Sequence, residues 1–81
     1  MISKEDFRQA CIESIKQVKD VEHVDISDDE DFSNAGLDSL DSMDLVLQVE
    51  SHTGLDFGEL DPAEVNTIDK FYAKAQELFG N

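Results

Sequence analysis

The chain has 81 residues, 40% of them apolar, and a formal net charge of −14 from 20 acidic and six basic residues. That length fits one domain, residues 1–81, whose small core would bury about 60–65% of the unfolded surface. The charge argues against direct binding to nucleic acid or to an anionic membrane surface. A basic protein partner is its natural complement, with an encounter that salt would slow.

Where the charges fall sharpens this. The basic residues are Lys4, Arg8, Lys16, Lys19, Lys70 and Lys74, so no Lys or Arg lies between Asp20 and Asp69, a span that holds 16 acidic residues. A single cysteine, Cys11, excludes an internal disulfide and zinc spacing of the Cys-x-x-Cys kind. It is expected to be a small buried hydrophobe. The opening MISKEDF turns charged at once, unlike a secretory signal. No apolar run approaches the roughly 20 residues of a membrane span. The expectation is a soluble, monomeric, cytoplasmic protein.

The first helix is expected over Lys4–Lys19. Ser3 suits an N-cap, with Asp6 at N3 in a variant capping box. Phe7, Ala10, Cys11, Ser14, Ile15 and Val18 keep helical spacing on a mostly apolar face. Lys16 and Lys19 suit the negative end of the helix dipole. Val21 to Leu37 lacks a sustained period and reads as a long acidic loop with at most one short turn. Val24, Ile26, Phe32 and Leu37 are expected to pin it to the helices. A structureless loop of this length hints at function.

The second helix is expected over Ser39–His52. Leu40, Met43, Val46, Leu47 and Glu50 fall on one broad face, which Leu45 and Val49 extend. Asp41, Asp44, Gln48 and Ser51 share the opposite face. Gly54 suits a left-handed C-terminal residue. Asp61-Pro62-Ala63-Glu64 reads as the start of a helix about one turn long. From Thr67, the stripe of Ile68, Phe71, Tyr72, Ala75, Leu78 and Phe79 marks a last helix ended by Gly80. No strand pattern is present. The fold class is all-α, a small four-helix bundle of three main helices and one short third helix, with a long loop between helices one and two.

Two kinds of chemistry fail on spacing. A calcium loop starting at Asp31 would have Ser33 and Gly36 in suitable places. It would also have Ala35 at a ligand position, Asp38 at the apolar position and Ser42 at the closing glutamate position. The loop then offers only weak, diffuse attraction for divalent cations. A hydrolase would need Ser39 in a Gly-x-Ser-x-Gly turn, which is missing. His52 would lie about 20 Å along the helix from Ser39. His23 sits in the loop with nothing to supply an oxyanion hole, and both histidines read as surface residues. Ser39 itself, taken alone, reads as an ordinary residue of a helix start. Asp38 is a favoured N-cap type and would place Ser39 at N1, and Gly36 gives the entry its conformational freedom.

The run Gly36-Leu37-Asp38-Ser39-Leu40-Asp41-Ser42-Met43-Asp44-Leu45-Val46-Leu47 resembles the modification site of acyl carrier proteins. The resemblance extends over most of the chain, through the helix order, the acidic loop and Val65-Asn66-Thr67-Ile68 at the entry to the last helix. It implies that Ser39 receives 4′-phosphopantetheine from coenzyme A on a Mg²⁺-dependent phosphopantetheinyl transferase. The protein would be no enzyme, and its metal-ligand and catalytic residues would be none. Its cargo would travel as a thioester on the arm, not on Cys11. Asp38, Asp41 and Asp44, with Leu40 and Met43, would form a recognition face for the transferase and for acyl-loading and acyl-transfer enzymes with basic docking patches.

The sequence departs from fatty-acid carriers at several places. Leu37 stands where they often have alanine. Gly58, after Phe57, stands where they often have proline. Ser51, His52 and Thr53 replace positions that are often acidic or aromatic. Acyl or aminoacyl cargo of a specialised lipid or secondary-metabolite pathway is then expected, and the acidic Leu-Asp-Ser-Leu form leans towards the acyl type. A cargo pocket would draw on Met43, Val46, Leu47, Leu60, Val65 and Ile68. The alternative is an unmodified acidic helical interaction module.

Overall fold

The computed structural model describes residues 2–80. Residues 1 and 81, the ends of the expected domain, lie outside the described residues. Three α-helices run over Lys4–Lys19 (α1), Ser39–Thr53 (α2) and Ile68–Phe79 (α3). Two single turns of 3₁₀ helix, Phe32–Ala35 and Pro62–Val65, lie in the connections. No strand occurs among the described residues. The expected short third helix is thus a 3₁₀ turn. Asp61 caps it by accepting from the Ala63 N–H at 3.0 Å, and proline occupies its first position. The next residues open a new helix too soon for an α-turn to propagate.

Local chemistry sets the helix ends. Ser3 Oγ accepts from the Asp6 N–H at 3.1 Å, and Thr67 Oγ1 accepts from the Lys70 N–H at 3.0 Å. Each satisfies one donor that a helix start leaves without an internal partner. Gly54, in the left-handed region at φ 74°, ends α2 with its N–H on the Glu50 carbonyl.

The helices meet over an aromatic centre. Phe7 of α1 stands edge-on to Phe71 of α3, with ring centroids 5.2 Å apart, and Phe57 packs on the other side of Phe71 at 5.1 Å. Cys11, Ile15, Leu45, Val49 and Ile68 fill the space beside them. Cys11 is fully buried, and desolvation pushes its thiol up to about 12.

The long connection between α1 and α2 is tied down at many points. Ile26, Phe32 and Leu37 enter the core, and Val24 packs against it. The Asp28 carbonyl accepts from the Asp69 N–H at 2.9 Å, covering a free donor at the start of α3. The Asp28 carboxylate pairs with Arg8 Nε at 2.8 Å and with Lys4, which also pairs with Asp69. The Phe32 N–H donates to the Asn66 carbonyl, and Asn66 Nδ2 donates to Asp31 Oδ2. Asp31 also accepts from the Ser33 N–H, and this bond is the main reason its carboxyl is held below the usual range.

The face of α2 that meets the core is narrower than its apolar content suggests. Leu45, Val46 and Val49 are buried. Leu40, Met43 and Leu47 are 76%, 58% and 61% exposed, so they are not core residues. Nor do the four polar positions form one solvated face. Asp44 and Ser51 are exposed, whereas Asp41 and Gln48 are half-buried, and Asp41 meets Lys19 of α1.

Candidate functional site at the start of the second helix

The approach to α2 is a sharp turn. Gly36 adopts φ 90°, a left-handed conformation that L side chains rarely take, and donates its N–H to the Ser33 carbonyl at 3.0 Å. Leu37 then drops into the core. With Leu37 anchored, Asp38 is fixed at the N-cap in an extended conformation.

Asp38 and Asp41 close a reciprocal capping box. Asp38 Oδ1 accepts from the Asp41 N–H at 2.8 Å, and Asp41 Oδ2 accepts from the Asp38 N–H at 3.2 Å. Ser42 fastens the same turn by donating its N–H and Oγ–H to the Asp38 carbonyl at 2.9 and 3.0 Å. Lys19 Nζ reaches Asp41 Oδ2 at 3.2 Å from the end of α1. The Asp38 N–H, followed by the Lys19 ammonium, holds the Asp41 carboxyl below the usual range.

Ser39 occupies N1 and is exposed. The capping task belongs to Asp38, and among the described residues no group bonds to Ser39 Oγ. The helix start is thus held without Ser39. The capping box leaves the N–H groups of Ser39 and Leu40, in the first turn, with no partner inside the helix. A free hydroxyl beside two free donors at the positive end of a helix dipole suits a covalently held phosphate diester. The residues present thus fit a phosphopantetheine group.

Leu40, Met43 and Leu47 continue from Ser39 as an exposed apolar stripe. It borders a groove of about 290 Å³ between α2 and the segment from Gly58 to Pro62. Met43, Val46, Leu47 and Leu60 line this groove as expected, but Val65 and Ile68 are buried core residues outside it. A wider hollow of about 410 Å³ between the second 3₁₀ turn and α3 includes no residue of α2, so it is not part of this site. The Lys19–Asp41 pair joins residues 22 positions apart, so no short-range spacing marks it in the sequence.

The family model described as phosphopantetheine attachment site matches residues 10–74, and the chain belongs to this family. Neither the curated proteins nor the solved structures contain a match to the chain. Members of the family are non-catalytic carriers of covalent 4′-phosphopantetheine, and they engage a phosphopantetheinyl transferase and acyl-handling enzymes. Among the described residues no helix is long and apolar enough to cross a membrane.

Proposed function

We propose that Ser39 is the attachment residue and that residues 1–81 act as a monomeric carrier domain for acyl cargo in a specialised lipid or secondary-metabolite pathway of the cytoplasm. The observation that carries this reading is the division of labour in the capping box. Asp38 and Asp41 hold the helix start, and Ser39 Oγ stays free of any internal bond. On the transferase, Ser39 Oγ would attack the β-phosphate of coenzyme A and lose its proton to a base of that enzyme, while the pyrophosphate bond breaks and adenosine 3′,5′-bisphosphate leaves. The N–H groups of Ser39 and Leu40 would be the nearest unpaired donors to hold the resulting diester. When bound, the arm provides a terminal thiol that holds cargo as a thioester.

The recognition face comprises Asp38, Leu40, Asp41, Met43 and Asp44. Its members are unequal. Leu40, Met43 and Asp44 are exposed, and Asp38 and Asp41 have carboxylate oxygens committed to the capping box. Asp44 therefore supplies the least engaged charge, and Leu40 and Met43 the apolar contact. A chain-like acyl cargo is favoured over an α-aminoacyl one by the apolar stripe beside Ser39 and by the Leu-Asp-Ser-Leu form.

The test is intact mass after incubation with coenzyme A, Mg²⁺ and a broad-specificity transferase. The expected result is one added phosphopantetheine on the native chain and none on Ser39→Ala. No gain, or a gain that survives Ser39→Ala, overturns the reading. The face is tested with Asp44→Lys, which should slow transfer of cargo by a basic partner enzyme while helicity stays intact. Unchanged partner kinetics would remove Asp44 from it.

A further inference from the structure

The groove beside α2 carries a charge pattern that bears on the cargo. Its floor and walls are apolar, from Met43, Val46, Leu47 and Leu60, and its charged lining residues are both acids, Glu50 and Glu59. No basic residue lines it. None occurs anywhere between Asp20 and Asp69, so these two carboxylates have no nearby compensation along that span.

Glu50 is fixed in place. Its Oε2 accepts from the Phe57 N–H at 2.7 Å, which fastens the loop after α2. Its Oε1 has no bond partner among the described residues, and neither does the Glu59 carboxylate, which is exposed. The two acids therefore offer acceptor oxygens and negative potential beside an apolar surface. An acyl chain lying on Met43 and Leu47 would meet that potential.

Resting on the carrier reading above, we propose that this groove selects its cargo by charge. It takes acyl chains that are apolar along their length, prefers those ending in an ammonium group, and rejects those ending in a carboxylate. An ammonium end gains a charge-assisted hydrogen bond to Glu59 or to Glu50 Oε1. A neutral end gains only apolar contact. A carboxylate end meets like charge on a protein of net charge −14 and stays in water, leaving the groove empty. Glu59 is thus a specificity-determining residue for cargo seating.

The test loads Ser39, through the transferase, with three amide-linked arms: hexanoyl, 6-aminohexanoyl and 5-carboxypentanoyl. Intact mass first confirms that each arm is attached. Failure of all three to attach overturns the carrier reading and this proposal with it. With attachment confirmed, NMR shifts of the Met43 methyl and Leu47 methyls report seating at low salt. The seated fraction should be highest for the aminohexanoyl arm, lower for hexanoyl, and about tenfold lower for carboxypentanoyl than for aminohexanoyl. The spread should shrink at high salt and in Glu59→Gln, and the order of the two charged arms should reverse in Glu59→Lys. Equal shifts from all three arms, or seating of the carboxylate arm in the native chain, overturns charge selection and leaves the attachment result standing.

Discussion

The two sides of this molecule use their charges in opposite ways. Beside α1 and α3, opposite charges are paired within the chain. Lys4 and Arg8 hold Asp28, Lys4 also holds Asp69, and the Asp28 carbonyl covers the start of α3. Along the outer face of α2, Leu40, Met43, Asp44 and Leu47 are left facing water. Contacts satisfied internally stabilise the fold, whereas contacts left open are available to partners and cargo. The acidic excess is thus divided between a clasp and a surface, and Asp41, tied to Lys19, stands on the border between them.

The largest test of this contrast is a pair of truncations. Phe71→Ala removes a fully buried ring with an aromatic neighbour on each side and should cost about 3–5 kcal/mol. Met43→Ala, at an exposed position, should stay within about 0.5 kcal/mol. Urea unfolding measures both, and equal costs would erase the distinction between the two sides.

A smaller effect is expected from the clasp. Asp28→Ala keeps the backbone bond to Asp69 but removes the carboxylate from Arg8 and Lys4. These groups are more than one-third solvent-exposed, which limits the loss to about 1 kcal/mol. Thermal unfolding should show a modest fall, and more rapid amide exchange should be confined to the loop before Phe32. Exchange spread evenly over α2 would show that the clasp does not act locally.

The border residue gives a third, still smaller shift. Lys19→Met takes away one of two donors to Asp41, so the loss in stability should fall below that of Asp28→Ala. The Asp41 carboxyl carbon, followed by NMR, should titrate below the ordinary value of 3.8 in the native chain and move upward in Lys19→Met. The sign of the linkage follows from that depression. The contribution of Asp41 is complete above its unfolded value and is lost as pH falls through the lower folded value. An unmoved titration in Lys19→Met would leave the Asp38 N–H as the sole cause.

Much of this architecture was readable before any coordinates. The bounds of α1, the capping roles of Ser3 and Asp38, the left-handed Gly54 and the four apolar loop anchors all follow from local rules. The facing of α2 does not. Its apolar residues form two overlapping stripes, Leu40–Met43–Leu47 and Leu45–Val46–Val49, and both satisfy helical spacing. Only the position of α1 and the aromatic centre decides which stripe is buried. The Asp28 and Asn66 bonds were illegible for a related reason: they join residues 20 or more positions apart, and no short-range pattern encodes them. The candidate serine could be located from its motif and its N1 place from Asp38, but the reciprocal Asp38–Asp41 box and the absence of any bond to Ser39 Oγ among the described residues needed the geometry.

The burial of Cys11 has a consequence for traffic through the carrier. A thiol raised to about 12 and sealed under Phe7 and its neighbours supplies almost no thiolate at neutral pH. If Ser39 carries the arm as proposed, an activated acyl group held there meets no rival thiolate on its own chain, and exchange between carrier and enzyme would run without an internal side reaction to drain it.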